Sequence, residues 1–242
     1  MNYNRVELYN LLKSKQFLKK GTRGTVFINN ENTLIKIPNE IDCFNDYETY
    51  ISSLRDLYYK NALLKESEFN QKKFMKIGKR LEFTDFAQDL IYLDNTYIGV
   101  ILKWYKNYNN LENYNYSNDK ELIEIFKYLI ECNSSLIRKG IYHFDLLFSN
   151  ILYNGKDIKI IDIDGEAITY SHDYNLLYEH YSYESLFIGL EYLLDLMFKD
   201  LEYIYRKRSY CNIVLSNKYK VIDKSTAKKM IKRIDKEGIF KK

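Results

Sequence analysis

Proline is nearly missing from this chain; Pro38 is the only one in 242 residues. That excludes a Pro-rich linker or a low-complexity tail. Cysteine is scarce too. Cys43, Cys132 and Cys211 are odd in number and never in C-x-x-C spacing, which excludes a disulfide frame and a zinc cage and suits free thiols in a reducing compartment. Long hydrophobic runs are lacking. The most apolar stretch, residues 186–198, is too short to span a bilayer and is broken by Glu191 and Asp195. The first residues are polar, with no apolar core or small-residue cleavage site of a signal peptide. A dominant charge is also lacking: 37 basic and 33 acidic residues leave a net +4, too weak to argue for nucleic acid. The expectation is a soluble, cytoplasmic chain with no membrane and no nucleic-acid partner.

What is abundant is aromatic: 25 Tyr and 13 Phe, enough to build a real core in one large domain or two smaller ones. Residues 6–18 suggest a short helix or an irregular lead-in. Residues 20–28, with the glycines in a tight connection before Val26, and 33–37 are β-rich runs around the polar turn 29–32 and read as a hairpin. Residues 41–81 read as mostly helical, with Phe44, Tyr47, Ile51, Leu54 and Tyr58 forming an apolar stripe and a second helical piece over 65–79. Two apolar strands, 86–93 and 97–104, flank the turn Asp94-Asn95-Thr96. A helix is expected to start at Ser117-Asn118-Asp119, to bury Leu122, Phe126, Leu129, Leu136 and Ile137, and to stop at Gly140. Residues 185–198 are apolar nearly all round and read as a buried helix. The basic face of Lys228, Lys229, Lys232, Arg233 and Lys236 reads as solvated.

The chemistry concentrates in residues 140–165, GIYHFDLLFSNILYNGKDIKIIDIDG. His143, Asp145 and Asn150 form H-x-D-x-x-x-x-N. Apolar runs 151–153 and 158–161 follow, joined across Asn154-Gly155, a dipeptide that favours a tight β-turn. The second run ends in Asp162-Ile163-Asp164-Gly165. A loop bearing one carboxylate and one amide is thus followed by a hairpin that returns a second carboxylate. Phosphoryl transfer from Mg-ATP needs such groups: one acid to orient the attacking hydroxyl, and an amide and an acid to hold metal. Each residue also has an ordinary reading. His143 is then a packed core histidine, Asp145 a turn residue, Asn150 a strand-end cap, and Asp162 and Asp164 polar residues closing a strand. Upstream, Gly21 and Gly24 fit a plain tight turn as well as a phosphate cradle, and Lys36 fits an edge-strand lysine as well as a phosphate anchor.

Taken in order, these elements resemble the protein-kinase-like superfamily, where a Gly-rich loop, a V-A-I-K strand, H-R-D-L-x-x-x-N and D-F-G follow one another. Here the counterparts are G-x-x-G-x-V at Gly21, Gly24 and Val26, L-I-K-I at Lys36, H-x-D-x-x-x-x-N, and D-x-D-G. The resemblance is to bacterial eukaryotic-like Ser/Thr protein kinases, with aminoglycoside- and choline-type phosphotransferases as relatives. It implies an α+β, bilobal fold: a small antiparallel β-sheet lobe in residues 1–104, a hinge at 103–106, and a mainly helical lobe in 105–242. It implies ATP and Mg²⁺ as cofactors. Asp145 becomes the catalytic base, Asn150 and Asp162 the metal ligands, and Asp164 a further acid at the metal. Lys36 becomes the phosphate anchor braced by Glu68 (Glu66 and Glu48 are rivals), and the Gly21/Gly24 loop with Val26 covers the nucleotide. His143 buttresses the loop.

The sequence departs from the pattern in three places. Lys19 stands where the family has its first glycine, Leu147 where Ser/Thr kinases commonly have a lysine, and no A-P-E follows Asp162. The acceptor is therefore expected to be a protein Ser/Thr hydroxyl or a small-molecule hydroxyl, and a nucleotide-binding scaffold without turnover is the third reading.

Overall fold

Alternation of apolar and polar residues sets the first sheet. The computed structural model describes residues 1–21, 24–59, 61–78, 81–113, 119–163, 168–197, 201–216 and 221–240; the helix start expected at Ser117-Asn118 lies outside them. Contacts divide the chain into two units. One holds residues 1–107 with Asp162 and Ile163, the other residues 108–161 and the described residues from 168 onward. The architecture is α+β.

The first unit runs β1 (Asn2–Tyr3), α1 (Arg5–Ser14), β2 (Gln16–Lys20), β3 (Gly24–Ile28), β4 (Thr33–Pro38), α2 (Tyr47–Tyr59), α3 (Asn61–Gly78), β5 (Asp89–Leu93) and β6 (Thr96–Lys103). Its strands form one six-stranded sheet in the order β1-β5-β6-β4-β3-β2. All neighbours are antiparallel except β1 with β5, so the sheet is mixed and not purely antiparallel. The β5–β6 turn places Asp94 and Asn95 at φ 47° and 67°. That is the two-residue turn whose twist matches paired strands, and Asx residues tolerate it.

Helix α1 opens with a capping box between Asn4 and Glu7 and ends earlier than the sequence suggests. Lys15 is extended, and residues 16–20 become an edge strand because Phe17 packs edge-on against Phe27 and Phe44. Helix α2 begins after Asp46, whose carboxylate accepts the Thr49 N–H, the usual relief for an unpaired helix-start amide. Its buried face is Tyr50, Leu54 and Leu57, whereas Phe44 (48 %) and Tyr47 (38 %) are exposed. Of the stripe expected, Leu54 is buried and Ile51 packs against the same core, Phe44 and Tyr47 are exposed, and the Tyr58 side chain lies outside the described residues. On β4, Ile35 and Ile37 enter a core with Leu8, Leu12, Tyr50, Leu54 and Ile98. The period of two turns Lys36 to the opposite face.

The second unit comprises β7 (Asn109–Asn110), α4 (Asp119–Ile137), β8 (Ile141–His143), β9 (Ile151–Tyr153), β10 (Ile158–Ile160), β11 (Ile168–Tyr170), α5 (Leu176–Met197), α6 (Leu201–Leu215) and α7 (Lys224–Lys236). Two small sheets, β10-β9-β7 and β11-β8, accompany the helices. Helix α4 buries all five residues of its expected stripe, Leu122, Phe126, Leu129, Leu136 and Ile137. It ends at Gly140, which has φ 74° and donates its N–H to Ile137 O at 2.8 Å, a left-handed stop suited to glycine. In the β9–β10 turn only Gly155 has positive φ, at 91°. Asn154 instead accepts the N–H groups of Lys156 and Asp157 through its side chain. Helix α5 starts earlier than expected and is not buried all round: Leu186, Phe187 and Leu190 are inside, Ile188 (53 %) and Tyr192 (54 %) outside. Helix α7 buries Ala227, Met230, Ile231 and Ile234, and Lys228 of its basic face pairs with Glu131 at 2.5 Å. Among the described residues, no helix is long and apolar enough to cross a membrane.

Candidate functional site

In the first unit, cross-strand register builds a row in which Val26 faces Lys36, Lys36 faces Val100, and Val100 faces Leu90. Val26, Val100 and Leu90 are buried, so the stem of Lys36 lies on an apolar strip that leaves its ammonium as the polar group there. Gly24 makes room for it. A Cβ on Gly24 would stand 3.0 Å from Cε of Lys36 and 3.1 Å from Ile37 O. A Cβ on Gly99 would come 2.4 Å from Lys36 O, so β6 reaches β4 only because position 99 has no side chain. The turn before β3 is fastened as well. Gly21 N–H donates to Gly24 O at 2.8 Å, Asn39 Nδ2 donates to Gly21 O at 2.7 Å, and Thr25 Oγ1 donates to Asn39 Oδ1 at 2.8 Å.

The Lys36 ammonium forms an ion pair with the carboxylate of Asp162. Asp162 itself sits at φ 63°, a left-handed conformation uncommon for a residue with a side chain and found where surroundings enforce it. Its neighbour Ile163 is buried, and the Ile163 carbonyl accepts Gln71 Nε2 from α3 at 2.8 Å. Glu68, expected to brace Lys36, is engaged by Lys72 Nζ at 2.6 Å and by the Tyr92 hydroxyl at 3.0 Å. Hydrogen bonding from Lys72, assisted by Tyr92, holds the Glu68 carboxyl below its ordinary value against the opposing effect of burial. The partner shown for Lys36 is thus the acid from the D-x-D-G segment; one turn along α3 from Glu68, it is Gln71 that reaches this segment. Asp164 lies outside the described residues. At 103–106, Lys106 lies over the Trp104 ring at 4.6 Å and Lys103 over the Tyr105 ring at 5.2 Å, so both rings are packing partners of lysines.

The second unit holds the other group. Leu146 and Phe148 are fully buried, Leu146 N–H donates to Ser185 Oγ of α5 at 3.1 Å, and the Asn110 side chain donates to Ser149 O. These anchors fix a single 3-10 turn, Phe148–Asn150. Asn150 Nδ2 donates to both the backbone O and Oδ2 of Asp145, each at 2.9 Å. His143 is buried and accepts the Asp145 N–H at Nδ1 (3.2 Å). Its proton is then on Nε2, which faces Ile161 O at 3.4 Å. The Ile161 N–H donates to Asn150 O at 2.9 Å. His143 therefore buttresses the loop from within, while Asp145 and Asn150 are half-buried.

Among the described residues, no cluster of three or more His, Cys, Asp or Glu gathers into a metal cage. Mg²⁺ seldom uses one; it takes one or two protein oxygens and completes its shell with water and phosphate. The donor chemistry fits that habit. In the second unit, Oδ1 of Asn150 and Oδ1 of Asp145 have no partner among the described residues; in the first, Asp162 carries a carboxylate beside Lys36. A cavity of about 740 Å³ in the second unit, bordered by Arg138, Tyr142, His172, Tyr174 and Lys224, includes none of these groups.

Two contributors went unread in the sequence. Gly99 had a signal, since a lone glycine inside a strand marks close backbone approach. Gln71 had none: it sits in a polar run of α3 and is nevertheless 1 % exposed. No protein-family model matches this chain, and no curated protein sequence matches it.

Proposed function

We propose that this chain is an ATP-dependent phosphotransferase with a protein-kinase-like fold, transferring the γ-phosphoryl group of Mg-ATP to a hydroxyl. The observation that carries the reading is the ion pair between Lys36, seated on the apolar row above Gly24, and Asp162. A lysine on a sheet paired with the acid of a D-x-D-G segment is what a phosphate anchor beside a metal ligand requires. In this reading Lys36 holds the nucleotide phosphates, Val26 and Val100 offer an apolar surface to the base, and the Gly21/Gly24 segment covers the nucleotide. Asp162 and Asn150 would hold Mg²⁺, which supplies charge neutralisation at the phosphates. Asp145 accepts the proton of the attacking hydroxyl as its oxygen bonds to phosphorus and ADP leaves. The Asn150 amide and the His143 ring keep the Asp145 carboxylate in place, and Asp164 is assigned as a further acid at the metal.

The acceptor we propose is a Ser or Thr hydroxyl of a protein, in an atypical kinase of this class. Leu147, half-buried where a lysine commonly stands, and the missing A-P-E favour a hydroxylated small molecule as the second reading. Incubation of purified protein with γ-labelled ATP and Mg²⁺, alone, with a cell lysate, and with a panel of amino-alcohols and aminoglycosides, separates them. Label on protein supports the first and label on a metabolite the second. Nucleotide binding with no transfer to anything would leave only a non-catalytic scaffold.

A further inference from the structure

We propose that Gln71 is a positioning residue for Asp162, its side-chain amide holding the Ile163 carbonyl so that Asp162 keeps its left-handed backbone and presents its carboxylate to Lys36. The inference deepens the phosphotransferase reading and, for its functional half, rests on it. Gln71 lies inside α3, is 1 % exposed, and spends one Nε2 hydrogen on Ile163 O at 2.8 Å. Its Oε1 is buried with no hydrogen-bond partner among the described residues. A buried acceptor left unpaired opposes folding, and most such atoms have a functional or strained reason to exist. An apolar side chain of similar length would remove that penalty but leave the Ile163 carbonyl without this donor. What the amide supplies is a donor to the one residue that follows Asp162.

The backbone explains why a clasp is needed. Aspartate tolerates φ 63° better than most residues, but the conformation is uncommon and is kept where the surroundings favour it. The Ile163 carbonyl is the nearest backbone acceptor beyond Asp162, and Ile163 is itself buried, at 2 % exposure. Fixing it from α3 fixes the direction in which the Asp162 carboxylate leaves the chain. Helix α3 thus couples to the proposed metal ligand through Gln71, while Glu68 on the same helix is occupied by Lys72 and Tyr92.

The test uses the full chain and two readouts. Gln71→Met keeps the shape and removes the donor; Gln71→Asn keeps the amide and withdraws it by a methylene, covering the case in which the methionine variant fails to fold. The first readout needs no nucleotide: acylation of individual lysines by an amine-reactive ester, followed by mass spectrometry. Lys36 is expected to label about fivefold faster in either variant, as in Asp162→Ala. Lys72, paired with Glu68 on the same helix, is expected to label at the wild-type rate. A merely structural role for Gln71 would raise both or neither, and unchanged Lys36 labelling overturns the proposal. The second readout is the Mg²⁺ concentration that half-saturates binding of a non-hydrolysable ATP analogue, expected to rise about tenfold with little change in affinity at saturating Mg²⁺. If Lys36 labelling rises while the wild type binds no Mg-nucleotide, the clasp stands and the phosphotransferase reading falls. If Mg²⁺ dependence is unchanged in a variant whose Lys36 is freed, Gln71 holds the backbone without serving the metal and the functional half is overturned.

Discussion

Lys36 and Asp162 are 126 residues apart in sequence and share an ion pair. The lysine comes from the middle of β4 and the acid from the first residue after the β9–β10 hairpin strand and Ile161. Their side chains are 19 % and 37 % exposed, so the pair is partly shielded from water and partly open to a ligand. An exposed ion pair of this kind contributes about 1 kcal/mol or less to folding. Its value in the present account is chemical: it holds a cation and a potential metal ligand side by side.

Lys36→Met is therefore expected to leave the thermal midpoint within a few degrees of wild type. Phosphoryl transfer should fall about 10²–10³-fold, the usual loss when one preorganised charge that stabilises a transition state is removed. Single-turnover rates with labelled ATP beside a thermal melt check this. A large drop in stability with a small drop in rate would make the lysine structural.

The glycines on either side of Lys36 carry a stability prediction. Gly99→Ala drives a Cβ to within 2.4 Å of a strand carbonyl, which β4 and β6 can relieve only by separating. Overpacking of this kind costs about 1–3 kcal/mol, and for a chain of this size each kcal/mol moves the midpoint by about 2–4 °C. A fall of about 2–12 °C is expected. Gly24→Ala meets the flexible stem of Lys36 first, at 3.0 Å from Cε. Its effect should appear more in nucleotide affinity than in the melt, and comparing both variants in both assays reads the difference.

How much of this was legible in the sequence depends on what each residue answers to. Helix α4 was read well because five apolar residues at helical spacing and one terminal glycine are local signals. The β5–β6 turn was read from Asp94 and Asn95 for the same reason. Strand β2 was missed because Gln16–Lys20 has no alternation of its own and exists only by pairing with β3. The inward face of α2 was read in part, at Ile51 and Leu54; its aromatic residues fit more than one helical stripe, and the core took Tyr50 over Tyr47. At the site, the resemblance and not spacing by itself singled out Gly24, Val26 and Lys36, and likewise His143, Asp145 and Asn150, and each trio lies together in its own unit. The partner of Lys36 did not follow from spacing. Several acids on α2 and α3 competed for it, and the side chain that settles near Asp162 is an uncharged glutamine.

A pH prediction follows from the cap of α7. The Asp223 carboxylate accepts the Thr226 N–H at 2.7 Å, and this backbone hydrogen bond holds its carboxyl below the ordinary value. A depressed folded value means that the stabilisation is present above the unfolded aspartate range, near pH 4, and is lost as pH falls through the lower folded value. Asp223→Ala should cost about 1 kcal/mol at pH 7. Urea unfolding of both proteins between pH 7 and pH 2 should show that gap closing only at the acid end.

Asp145→Asn should abolish transfer while leaving nucleotide binding within about threefold, since a proton acceptor contributes to the chemical step and little to the ground state. Asn150→Ala should lower both transfer and binding: it removes one 2.9 Å hydrogen bond to the Asp145 carboxylate and one to its backbone carbonyl, along with the oxygen proposed for the metal. Calorimetric binding and single-turnover transfer, measured on the same preparations, discriminate the two patterns. Loss of binding in Asp145→Asn would assign that acid a structural role.

The most direct test is a calorimetric titration of wild type and Asp162→Ala with a non-hydrolysable ATP analogue, in Mg²⁺ and in EDTA. The account predicts that wild type binds the analogue and that chelation weakens binding about tenfold or more, the cost of losing one metal-bridged contact of 1.4 kcal/mol or above. Asp162→Ala should bind weakly and equally in both buffers. A wild-type protein that binds no nucleotide, or binds it with the same affinity whether or not Asp162 and Mg²⁺ are present, would contradict the account.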